Sequence, residues 1–179
     1  MSAAEALRTL AGIFAGPLDP EKIEALAGTD HILSRALQED RADCVPPALD
    51  EALSEEFTRL FEAPVGAHAP LQGLRCGDDE LLGPNARGLL QAYCEADREP
   101  DPQSGLLPDH LSVALGFLAE LLESGQDDRA AHFVARHLGR WVPAWVEGYS
   151  ADASKRFYKV AGALLLDALH DLRAGVPAS

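Results

Sequence analysis

Apolar positions along the chain recur at three- and four-residue steps, the spacing that gathers side chains on one face of an α-helix. Ala3, Leu7, Leu10, Ala11 and Phe14 form the first such stripe, and Gly16-Pro17 closes it. Asp19 followed by Pro20 reads as an N-cap with proline at the first helical position, predicting a short helix that ends at Gly28. Another short helix carries Ile32, Leu33 and Leu37 toward a turn at Pro46-Pro47. Leu49, Ala52, Leu53, Phe57, Leu60 and Phe61 line a stronger one, stopped by Pro64. Val65 to Gly83 loses the period and is rich in Gly and Pro. A loop of that length lines a site or folds on binding. Pro84 then opens a helix that buries Ala86, Leu89, Leu90 and Tyr93.

Arg98 to Leu107 holds two prolines and a glycine with little to bury, and reads as a linker. It divides an irregular part, 1–97, from a better patterned part, 108–174, within one domain spanning 1–179. Leu111, Ala114, Leu115, Leu118, Leu121 and Leu122 form a stripe that runs to Ser124-Gly125. Ala130, Phe133, Val134, His137, Leu138 and Trp141 share one side of the next predicted helix, which Pro143 ends. A last long helix, capped by Ser150, carries Phe157, Ala161, Leu164, Leu165, Leu169 and Leu172. No segment alternates with period two, and no repeat is evident. The pattern predicts an all-α, single-domain bundle of about eight to ten helices.

Composition sharpens this. The 179 residues are 47% apolar, enough for one substantial core, and only 6% aromatic. Twenty-nine acidic side chains against 15 basic ones give a net charge of −14. Such a surface keeps a protein soluble, repels nucleic acid and anionic lipid, and attracts a basic partner. Cys44, Cys76 and Cys94 form no CxxC pair, which points to reduced thiols and a cytoplasmic location. Met1 to Phe14 lacks the basic start and long apolar stretch of a secretory leader, and no run approaches the ~20 apolar residues of a membrane span.

The signatures of catalysis are missing. His132 and His137 stand five apart, roughly 140° around a helix, so they do not face one ion. A site joining them with His110 would need convergence in space. The sequence has no GxSxG, GxxxxGK[ST] or GxGxxG motif. The carboxylates of Asp78-Asp79-Glu80 read as a solvated face. No metal, cofactor or catalytic residue is expected.

Three clusters remain. Pro108-Asp109-His110-Leu111 looks like a helix start, with proline in the first turn and aspartate at the positive end of the dipole. The His110 ring is left to offer a donor and an acceptor. His137 and Trp141 belong to His-Leu-Gly-Arg-Trp-Val-Pro, ending at Pro143, where His137 on an apolar stripe also fits a satisfied core residue. The third cluster is Phe57, Leu60, Phe61 and Pro64, ordinary core positions when taken alone.

In this order and spacing the clusters resemble the TorD/DmsD/NarJ family of molybdoenzyme chaperones, with most likeness to its TorD/DmsD branch. The aromatic-x-x-Leu-Phe pattern with a following proline, the Pro-Asp-His-Leu start and His-Leu-x-x-Trp-x-Pro are all matched, and Phe157-Tyr158 agrees near the last helix. The likeness runs from about Leu49 to Leu172. Two departures stand out. Gln72, Gly73 and Arg75 occupy a stretch where the family often has Glu-Ser and a tyrosine, and Ala114 and Gly116 replace common glutamates.

The resemblance implies a cytoplasmic chaperone, not an enzyme. It would hold the catalytic subunit of a molybdopterin oxidoreductase, or that subunit's twin-arginine signal peptide, until cofactor insertion. An acidic helical groove suits an Arg-rich head followed by an apolar stretch. Asp109, His110, His137 and Trp141 are expected together at a groove between the C-terminal helices, with Asp109 facing a guanidinium and Trp141 giving cation–π contact. Pro108, Gln72 and Arg75 complete the candidate partner-binding set. A monomer is expected, with the Arg98–Leu107 linker a possible hinge for a domain-swapped dimer. A helical adaptor for an unrelated partner and a small nucleotide-hydrolysing enzyme are the competing classes.

Overall fold

The computed structural model describes residues 2–29, 31–43, 49–62 and 67–174. In chain order its helices are α1 (Ala3–Ala15), α2 (Pro20–Thr29), α3 (His31–Ala42), α4 (Leu49–Phe61), α5 (Gln72–Arg75), α6 (Pro84–Glu95), α7 (Leu111–Glu123), α8 (Asp127–Arg136), α9 (Val142–Asp152) and α10 (Arg156–Ala174). Pro102–Ser104 and Leu138–Arg140 are 3₁₀ turns. Among the described residues the only β feature is an isolated bridge between Leu71 and His110. The all-α bundle is as the pattern predicts. Cys44, Pro46, Pro47, Pro64 and Val65 lie outside the described residues. None of the described helices is long and apolar enough to cross a membrane.

Local chemistry explains the starts. Ser2 and Glu5 form a reciprocal capping box on α1, with Ser2 Oγ accepting from the Glu5 amide at 3.2 Å. Asp19 accepts from the Lys22 amide at 2.8 Å and opens α2 as predicted. The C-terminal third departs from the sequence reading. The stripe through Trp141 is broken, because α8 stops at Arg136, His137 is its C-cap and a 3₁₀ turn follows over Leu138–Arg140. Pro143 is the second residue of α9 and not a terminator, since the first turn needs no amide donor there.

Ser150 does not cap the last helix; it lies inside α9. The first amides of α10 are met from elsewhere in the bundle. Asp40 of α3 accepts from the Arg156 and Phe157 amides at 3.0 and 2.9 Å. Glu56 of α4 accepts from the amides of Ser154 and Lys155 just before it. Both carboxylates are buried, at 3% and 5% exposure. They meet the positive end of the longest helix and tie α3 and α4 to it.

The core is one continuous cluster fed by every helix except α5. At its heart Phe14, Phe57, Phe61, Trp145, Tyr149 and Tyr158 join α1, α4, α9 and α10, with ring centroids 4.6–6.2 Å apart. The buried phenols are satisfied: Tyr149 donates to the Tyr158 carbonyl and Tyr158 to that of Leu53. Phe57, Leu60, Phe61, Phe157 and Tyr158, which carry part of the family resemblance, are therefore packing residues. Among the described residues α1 against α7 is the most extensive helix pair, and a two-pronged Arg8–Glu123 ion pair of 2.7 and 2.9 Å closes its end.

Candidate functional site

The loop after α4 returns to the bundle by pairing with the start of α7. The Gln72 amide donates to the Asp109 carbonyl at 3.0 Å, and the Leu111 amide to that of Pro70 at 2.8 Å. Pro108 and Asp109 form a turn closed by the His110 amide on the Leu107 carbonyl at 2.9 Å, and His110 is extended, so the helix begins at Leu111, not at Pro108. His110 is its N-cap, with Nδ1 accepting from the Ser112 amide at 3.2 Å. Pro108, half-buried, accepts from the Tyr93 hydroxyl at 3.2 Å.

Asp109 does not face solvent at the helix dipole. Its Oδ2 accepts from the Gly73 amide at 3.0 Å, and the residue is only 4% exposed. Gly73 is confined between two carboxylates: a Cβ there would stand 2.7 Å from Asp78 Oδ2 and 3.2 Å from Asp109 Oδ2. Asp78 in turn accepts from the Asn85 and Ala86 amides at the start of α6. Burial works to raise its pKa, yet those amides and the Asn85 side chain hold it below the usual carboxylate value. Asp78 is thus a cap, and the solvated-face reading holds for its exposed neighbours Asp79 and Glu80.

Gln72 connects this junction to His137. Its amide nitrogen donates to the Asn85 carbonyl at 3.0 Å and lies 3.3 Å from His137 Nδ1, which needs that nitrogen unprotonated. His137 packs its ring 5.0 Å from that of Phe133. Burial, helped by Arg136, Arg140 and His132, lowers its pKa to about 4, and burial alone lowers that of His110 to about 4. Both rings are neutral at neutral pH. Arg75 fastens the loop to itself, with Nε on the Ala69 carbonyl (2.8 Å) and Nη2 on that of Ala67 (2.9 Å). Burial pulls its pKa down.

The structure therefore brings Gln72, Asp109, His110 and His137 together around α5, as a junction and not as an open groove. Trp141 is not part of it. Its ring lies 5.8 Å from Trp145 in the aromatic core, and the residue is 4% exposed. The physical reason is the helix break at His137, which turns Trp141 inward. Asp109 Oδ1, Gln72 Oε1 and Trp141 Nε1 have no hydrogen-bond partner among the described residues. Among those residues no three His, Cys, Asp or Glu side chains are placed to hold a metal ion. Reasoning from sequence missed Gly73 and Asp78 as site residues; a glycine beside Gln72 in the Val65–Gly83 loop was the one available sign.

Residues 26–147, which span α3 to α8 and so the whole junction, match the family model of the nitrate reductase delta subunit, which takes in the NarJ and TorD chaperones. The chain belongs to the TorD/DmsD/NarJ family. It is 28% identical over 117 residues to a Tat proofreading chaperone, DmsD, of Salmonella typhi, a match covering 64% of this chain. The chain spans 57% of that relative's own length. In this chain the Pro-Asp-His stretch is a turn whose histidine pairs with Leu71 and caps α7. His-Leu-x-x-Trp-x-Pro is a helix break whose histidine serves the junction and whose tryptophan serves the core.

Proposed function

We propose that this chain is a chaperone in the maturation of a molybdopterin-dependent oxidoreductase, acting in the cytoplasm on the catalytic subunit before its cofactor is inserted. The observation that carries the reading is the family match over residues 26–147, alongside a relative described as a Tat proofreading chaperone. The net charge of −14 supports a basic recognition element in the client, such as a twin-arginine signal peptide. In this reading Pro108, Asp109, His110, Gln72, Arg75 and His137 act by holding the loop before α6 in one shape. Trp141 acts through the core, and the protein works as a monomer.

The test is affinity capture of the tagged chain from its native cells grown anaerobically, with mass spectrometry of what co-purifies. Recovery of a molybdopterin oxidoreductase catalytic subunit, lost on competition with its own leader peptide, is the expected result. Recovery of an unrelated partner, from cells shown to express such an enzyme, would instead support a helical adaptor.

A further inference from the structure

An open groove of about 390 Å³ runs along α1 and α7, with Ser112 and Val113 at the α7 start in its lining. Its floor is made of small or apolar residues of α1 and α7, among them Ala11, Gly12, Gly116 and Phe117. Arg98, Glu99, Pro100, Asp101, Ser104 and Leu106 form its outer wall. Two features distinguish it from incidental surface. Ser112 lines it, is 7% exposed, and its Oγ has no hydrogen-bond partner among the described residues. A buried hydroxyl without a partner is disfavoured, and a ligand group in the groove would relieve it.

The second feature is the pair of glycines. Gly12 and Gly116 each stand inside a helix, where glycine is less favourable than alanine. Neither adopts positive φ, and a Cβ at either would meet nothing within 4 Å. No local packing demands a glycine at these positions. What their bare Cα atoms provide is width.

The rim sets the sign of the occupant. Arg98 pairs with Glu120 at 3.1 Å, while Glu99 and Asp101 add two further carboxylates to the wall. The mouth is net acidic, over an apolar floor that offers one hydroxyl. We infer that this groove receives an apolar stretch of client polypeptide flanked by a basic residue. Its apolar side chains would lie over Gly12 and Gly116, and the cation at Glu99 and Asp101. The inference rests on the chaperone reading above and assigns it a docking surface.

The probe is a fluorescein-labelled synthetic peptide of two adjacent arginines followed by about ten Leu and Ala residues, the length of a leader's apolar segment. Binding is read by fluorescence anisotropy, with circular dichroism and Tm for each variant. Gly116→Leu fills the groove at a site with free space, so the fold is retained, and affinity should fall at least tenfold. Ser112→Ala should weaken binding about fivefold while raising Tm. Glu99→Gln should flatten the salt dependence. A folded Gly116→Leu protein that binds as wild type does would overturn the groove and leave the chaperone reading intact. A wild-type protein that binds no such peptide would overturn this inference and the signal-peptide reading together. A concentration-dependent wild-type dimer in sedimentation, abolished by Gly116→Leu, would assign the groove to a second copy instead.

Discussion

Replacing Asp40 by alanine tests the claim that the last helix is capped across the bundle. The carboxylate serves two amides, of Arg156 and Phe157, at 3.0 and 2.9 Å. Phe157 is fully buried, so its amide has no route to water when the partner is removed. A buried donor left unpaired costs about 1–3 kcal/mol. The Arg156 amide, on an exposed residue, is partly rehydrated and adds roughly 1 kcal/mol through the lost charge at the helix start. The sum is about 2–4 kcal/mol, which for a chain of this size lowers Tm by about 4–16 °C. Asp40→Asn keeps one acceptor but turns an amide toward the second donor, and should fall midway. Glu39→Gln, whose ion pairs are with the exposed Arg35 and Arg156, serves as a control and should shift stability by less than about 1 kcal/mol. The assay is urea and thermal unfolding followed by circular dichroism. An Asp40→Ala protein within 1 kcal/mol of wild type, about the size of the control's limit, would refute the capping argument.

Gly73→Ala should destabilise by about 1–3 kcal/mol, because the new methyl meets the Asp78 and Asp109 carboxylates; Gly12→Ala, in open space, should stabilise by up to about 1 kcal/mol in the same urea titrations. Both His110 and His137 have folded-state pKa values of about 4 against an ordinary 6.5, so the unfolded chain binds more protons between these limits. Stability should therefore fall as pH drops from 6.5 to 4 and be flat above, and His137→Gln should reduce that slope in unfolding measured across the window. For Glu56, burial opposes ionisation, but the bonds from Arg59, Ser154 and Lys155 prevail and the pKa is lowered from 4.5. Its contribution is complete above 4.5 and lost as pH falls below, so Glu56→Gln should be less acid-sensitive than wild type in that lower range.

The helices were legible because burial imposes its period on Leu, Ala and Phe wherever they face a core. Asp19-Pro20 and Pro84 also marked true starts, since capping chemistry is local. Pro143 misled because a proline fits after one helix and in the first turn of the next equally well, and only the geometry at His137 distinguishes them. Asp40, Glu56 and Asp78 were invisible among 29 acidic residues. Their roles depend on amides that only the fold brings to them: those of Arg156 and Phe157 in α10 for Asp40, of Ser154 and Lys155 just before it for Glu56, and of Asn85 and Ala86 in α6 for Asp78. The clusters Pro108-Asp109-His110 and His137–Trp141 stood out in the sequence by their residue types. What the sequence could not show was their direction, inward toward Gly73 and Trp145, because that follows from the Leu71–His110 bridge for Asp109 and from the end of α8 at Arg136 for Trp141.

The pairing of α1 with α7 has a consequence during synthesis. Arg8 and Glu123, which close that pair, are 115 positions apart in the chain. At about 5–20 residues per second, α7 leaves the ribosome roughly 5–25 s after α1. For that interval Leu7, Leu10, Ile13 and Phe14, all buried in the finished bundle, have no α7 to cover them. Nascent chains arrested before residue 111 should bind a hydrophobic dye and be cut readily by protease. Release of the full chain should abolish both, so the amino-terminal stripe passes through an uncovered stage before the bundle closes over it.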